Sequence, residues 1–164
     1  MVIDGKVHLF YQTYGNQSHD AICHAVSDDG VKFTRDASNP VFHPTGDWTV
    51  GRAIDAEAFV MGDRLLLYFA TRDPLMKTQM VGVASSTNGL TWKLLANEHV
   101  LANGASGTWN SSESGHPGVF VDQSGQTWLF YQGNPDKGRT WFLSRVPISW
   151  SENQPHIAPE PVAH

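Results

Sequence analysis

The chain has 164 residues, one domain's worth and enough to bury a core. A formal charge of −5 excludes the basic stripe of a nucleic-acid binder, and no apolar stretch approaches the ~20 residues of a membrane-spanning helix. Charged residues are sparse at 16%, whereas six Trp, eight Phe and four Tyr suit aromatic-rich β-structure able to stack on flat or sugar-like ligands.

The opening "MVIDGKVHLFYQ" lacks the charged region and apolar run of a signal peptide, so the sequence gives no address beyond a cytoplasmic default. "DGK" (4–6) supplies a hairpin turn ahead of the aromatic strand "HLFYQ" (8–12). The sequons at 16–18 and 110–112 matter only in a secretory context. "CHAVSDDGVKF" (23–33) then reads as a small-residue strand, a tight turn and an aromatic strand. Its Cys23, the single cysteine, excludes a disulfide framework and reads as a small buried thiol, and His24 as a satisfied core histidine.

"TGDWTVGR" carries Trp48 and Arg52 into "AIDAEAFVMGDRLLLYFATRD", where Asp55 and Glu57 precede an apolar run. Trp48 reads either as packing between sheets or as a platform for the apolar face of a sugar. In an extended segment Asp55 and Glu57 point to one side. Glu57 reads as structural, while Asp55 is either a strand-entry hydrogen-bonding group or a functional carboxylate. "LMKTQM" (75–80) is too short to argue a helix. "GVASSTNGLTW" (82–92) repeats the pattern of 23–33 at an offset of 59, matching Ser27 with Ser86, Gly30 with Gly89 and Phe33 with Trp92.

Trp109, in "SGTWNSSES", occupies the place of Trp48 one unit later. Glu113 and His116 follow in a Gly/Ser-rich approach to a strand, a composition equally at home in an ordinary polar loop. "SGQ" (124–126) and "WLFYQ" (128–132) repeat the first hairpin. The eight histidines show no clustered spacing, so neither a metal site nor another cofactor is indicated. Four antiparallel strands per unit of roughly 40–60 residues mark an all-β β-propeller. Three blades fit, at about 1–43, 52–101 and 113–150, followed by a Pro-rich tail at 151–164.

"GKVHLFYQTYG", "ICHAVSDDGVKF" and "AIDAEAFVMGDRLLLYFATRD" together resemble the five-bladed propeller glycoside hydrolases of families 43, 32 and 68, over residues 3–146. The resemblance implies an axial site with a base Asp from the first blade, a modulating Asp from the second and an acid Glu from the third. Asp55 matches the modulator and Glu113 is the candidate acid. His116 takes the place of Asp55 when "GVFV" is aligned on "EAFV", and offers an alternative proton donor. The first-blade counterpart of Asp55 falls before Met1. "TRDP" (71–74) echoes an Arg-Asp-Pro motif of family 32 at the wrong end of its strand, and its role is not carried over. A sialidase-type propeller fits less well, because its turn has one more residue between Asp and Gly than "SDDG" provides.

Two readings of function stand. In the first, the chain acts on furanosides or related oligosaccharides by inverting hydrolysis, with Asp55, Glu113 and His116 in the chemistry and Arg52, Trp48 and Trp109 holding the sugar. In the second, it is a non-catalytic partial propeller that binds carbohydrate or serves as a scaffold. Three blades leave edges exposed, so a homo-oligomer is expected, with no nucleic acid and no membrane as partners.

Overall fold

The computed structural model describes residues 1–13, 20–73, 75 and 78–158, all β-strand, turn and loop with no helix among them. The first sequon (16–18) and residues 76–77 of "LMKTQM" lie outside the described residues. Twelve strands form three four-stranded groups in chain order. The first is β1 (Val2–Ile3), β2 (Lys6–Gln12), β3 (Ile22–Ser27) and β4 (Thr34–Arg35). The second is β5 (Ile54–Met61), β6 (Arg64–Arg72), β7 (Gln79–Ser86) and β8 (Lys93–Leu94). The third is β9 (Glu113–Val121), β10 (Thr127–Asn134), β11 (Phe142–Ser151) and β12 (Gln154–Ile157). Each is an antiparallel meander, so the chain is a partial β-propeller. The outermost strand of the third group, β12, comes from the stretch expected as a tail and pairs with β11 from Ile148↔Ile157 to Ser151↔Gln154.

The repeat seen in the sequence recurs in the pairing. Ile22 bridges Phe42 and Val81 bridges Leu101, the second bridge offset from the first by 59 residues, so both linkers fold back onto the third strand of their own blade. Ser27 and Ser86 organise identical turns. Gly30 N–H donates to Ser27 Oγ and Gly89 N–H to Ser86 Oγ, both at 2.9 Å. Asp29 Oδ1 accepts from Val31 and Lys32 N–H at 2.8 Å, and Asn88 Oδ1 from Leu90 and Thr91 N–H at 2.9 Å.

The second blade is packed on both faces. Leu66 and Tyr68 on β6 join Leu129, Tyr131, Val146 and Ile148 of the third blade in one core cluster. Leu67 and Phe69, the alternate residues of the same strand, join Ile22 and Phe42 of the first in another. That is why β6 reads as an unbroken apolar run, with residues 66 to 71 fully buried, whereas β11 of the third blade alternates. Cys23 and His24 are both buried, as expected, and burial pushes the Cys23 thiol upward. His24 Nε2 lies 3.0 Å from His8 Nδ1, and its Nδ1 is 3.6 Å from Asp36. His8 is held below its ordinary range chiefly by burial and then by His24.

Candidate active site between the second and third blades

The site grows out of two matching distortions. Asp55 on β5 and His116 on β9 are 61 residues apart, the offset that aligns "EAFV" with "GVFV". Both have positive φ, 48° and 50°, and among the described residues they are the only non-glycines that do so inside strands. Each marks an irregularity in the ladder. β5 slips against β6 between Ile54 and Glu57, and β9 against β10 between Gly115 and Gly118, so two residues oppose one. Such bulges re-aim a side chain, and Asp and His tolerate the left-handed region better than most residues. Here the bulges bring the two side chains together: His116 Nε2 lies 3.3 Å from Asp55 Oδ2. Asp55 N–H donates to Gln12 Oε1, which ties the bulge to the last residue of "HLFYQ" in the first blade.

Asp55 and His116 line a cavity of about 200 Å³ with Arg52, Ile54, Arg72, Gln79, Glu113 and Trp141. Glu113 is buried at the start of β9, where Gln79 and Glu113 form a parallel bridge between the second and third blades. A side chain at Gly115 would collide with the Gln79 amide, its Cβ falling 2.6 Å from Nε2, so glycine permits that approach. Both carboxylate oxygens of Glu113 are engaged: Oε1 accepts from Arg72 Nη1 at 3.0 Å and Oε2 from Asn134 Nδ2 at 2.8 Å. Arg52, buried, donates from Nε to Asp20 Oδ2 at 3.0 Å. The site's cations are therefore each matched to a carboxylate, and the exposed pair is Asp55 with His116, whose side chains retain 23% and 39% of their accessible surface. Among the described residues no cluster of three or more His, Cys, Asp or Glu could hold a metal ion.

The residues read from the sequence fall in two places. Asp55, Glu113, His116 and Arg52 share the cavity. The tryptophans do not line it. Trp48 stacks on Phe69 with ring centroids 6.3 Å apart, filling the seam between the first two blades. Trp109 lies against Tyr131 at 5.6 Å and packs on the core between the second and third. Their equivalent positions reflect shared packing. Glu57, beside Asp55, points elsewhere, and its Oε2 accepts from Val119 N–H at 2.9 Å across to β9. Asn110, in the second sequon, is buried with its amide nitrogen on Ser114 Oγ.

Sequence reasoning missed Arg72, Gln79, Asn134 and Trp141. Arg72 was visible as the charge that ends the apolar run of β6, and the structure turns it onto Glu113. Trp141 follows the turn "NPDKGRT" and has no counterpart in the other blades, so the repeat carried no signal for it.

Residues 1–156 match the family model described as glycosyl hydrolases family 32 N-terminal domain. No curated protein matches the chain. Among solved structures it is similar to a family 32 β-fructofuranosidase of Bombyx mori in complex with sucrose, at 18% identity and a TM-score of 0.74, covering 98% of this chain and 35% of that one. A family 117 glycoside hydrolase from the marine bacterium Zobellia galactanivorans aligns at 15% identity and TM-score 0.75, covering 98% and 53%. A thermostable family 43 glycoside hydrolase aligns at 12% and 0.69, covering 99% and 52%. The chain thus spans about a third to a half of the length of these structures.

Proposed function

The chain belongs to the glycosyl hydrolases family 32 N-terminal domain family, and on that premise we propose that it forms part of a glycosidase site for furanosides or the oligosaccharides that contain them. The observation that supports this most is the contact between Asp55 and His116, two residues placed by matching bulges at one cavity. Backbone strain of this kind, of order 1–3 kcal/mol per residue, is retained where function requires it.

In this reading His116 is the proton donor. As an imidazolium it gives one N–H to Asp55 and keeps the other for the departing glycosidic oxygen, while the Asp55 carboxylate orients the ring and stabilises its charge. Glu113, with both oxygens occupied by Arg72 and Asn134, acts as a positioning group that fixes the mouth of β9. The C–O bond breaks as the proton arrives at the leaving group, and water adds to the anomeric carbon from the opposite face, giving inversion. The carboxylate that activates this water is assigned to the first-blade position equivalent to Asp55.

The test is hydrolysis of sucrose and of 4-nitrophenyl furanosides, with the first-formed anomer followed by NMR. Asp55→Asn and His116→Gln should each lower kcat/KM by about 10²-fold or more, and Glu113→Gln should lower it with a loss of stability. Turnover unchanged in Asp55→Asn and His116→Gln overturns the assignment. The complete pairing of charges around Glu113 and Arg52 favours a second reading, sugar binding without turnover. Saturable binding with no hydrolysis would select it.

A further inference from the structure

We propose that Trp141 is the stacking platform for the sugar ring on the leaving-group side of this site, so that its ligand is a glycoside whose second ring presents an apolar face. The inference rests on the glycosidase reading above and assigns the half of the site that the charged residues leave undefined. Trp141 lines the cavity with Asp55 and His116 and is 45% exposed, so its ring is open to a ligand at this polar site. Its ring meets the His116 imidazole edge-on, with centroids 5.5 Å apart and planes at 90°. The proton donor of a glycosidase lies beside the bond being cleaved, so an aromatic face next to it borders the ring that leaves.

The ring is pre-positioned. Asn134, which holds Glu113 through its Nδ2, accepts from Gly138 N–H at 2.8 Å through its Oδ1. Asp136 accepts from Arg139 and Thr140 N–H at 3.0 Å, closing the turn that delivers Trp141. Gly138 runs under the indole, where a Cβ would lie 3.5 Å from Cζ2, and its φ of 83° suits glycine. One turn thereby fixes both the acidic wall of the site and its aromatic lip. The cavity of about 200 Å³ lies below the ~300–1,000 Å³ usual for larger ligands. A space of this size suits one ring rather than two, which leaves the second at the mouth, beside Trp141.

The experiment compares wild type, Trp141→Ala and Trp141→Phe by calorimetric titration with sucrose and with methyl β-D-fructofuranoside, which lacks the second ring. The difference in fluorescence quenching between wild type and Trp141→Phe reports on this indole alone. Trp141→Ala should weaken sucrose about threefold to tenfold, the range of an aromatic stacking contact. It should leave the methyl fructoside unchanged, and Trp141→Phe should retain most of the sucrose affinity. Equal affinity of wild type and Trp141→Ala for sucrose overturns the platform while the glycosidase reading stands. Equal weakening of both probes overturns its placement on the leaving-group side. Failure of wild type to bind either probe overturns the fructofuranoside reading and the platform with it.

Discussion

At the residue scale, the site depends on two side chains held where an L-residue is strained. His116 at φ 50° sits in the left-handed region, where a Cβ costs about 1–2 kcal/mol. This inverts the usual ranking of small substitutions. In an ordinary strand Gly is less stable than Ala, but His116→Gly should be more stable than His116→Ala by about 1 kcal/mol. Both variants lose the Asp55 contact equally, so the difference isolates the backbone. Urea unfolding of the two proteins decides it, and an Ala variant as stable as the Gly variant would remove the strain from the argument. The sequence carried half of this. It aligned His116 with Asp55, but gave no sign that both stand on bulges or that their side chains meet, because a bulge changes the count of residues and leaves no residue-type signature beyond tolerance of positive φ. It left Trp48 and Trp109 open between packing and sugar platform, their repetition pointing only to a shared role. They repeat because each seals a seam between blades, and the aromatic that does reach the cavity, Trp141, is unrepeated.

At the element scale, the turns were the most legible part, since Ser, Asp, Asn and Gly act locally through their own hydrogen bonds. The two S-x-x-G turns amount to a natural substitution experiment, Asp29 in one and Asn88 in the other, with the same acceptor geometry. They differ in charge. The N–H groups of Lys32 and Val31 and the hydroxyl of Ser27 hold the Asp29 carboxyl below its ordinary value of 3.8. A carboxylate depressed in the folded state stabilises it at pH above the unfolded value, and that contribution fades as pH falls from about 3.8 through the folded value. The same sign holds for Asp122, held at about 2 first by the Ser124 hydroxyl and then by the Trp128 indole N–H in the β9–β10 turn. Asp29→Asn, copying the second blade, should keep the fold at neutral pH and lose less stability on acidification than wild type. Urea midpoints measured at neutral pH and near pH 2.5 test this. An acid-induced loss as large as that of wild type would show that the turn carboxylate does not contribute to acid sensitivity.

At the scale of the whole molecule, the second blade is the keystone. Among the described residues the first blade shares no strand pairing with it, and the third is joined to it by a single parallel bridge. Side-chain burial on the two faces of β6, Leu66 toward the third blade and Leu67 toward the first, each fully buried, couples the three, together with the Arg52–Asp20 and Arg72–Glu113 pairs. The site inherits this arrangement, since Asp55 enters from the second blade and His116 and Glu113 from the third. Leu66→Ala and Leu67→Ala should each cost about 2–5 kcal/mol, the range for emptying a packed leucine site. Because both leucines anchor the same strand, either truncation should lower the stability of the whole and leave one cooperative transition, with far- and near-ultraviolet circular dichroism unfolding together. The two variants should separate at the site. Leu66→Ala loosens the seam across which Asp55 and His116 meet and should weaken sugar binding at temperatures well below unfolding, whereas Leu67→Ala, on the opposite face, should leave it intact. A biphasic transition for Leu66→Ala would show instead that the third blade folds as a unit of its own and that the site depends on docking between two independently stable halves.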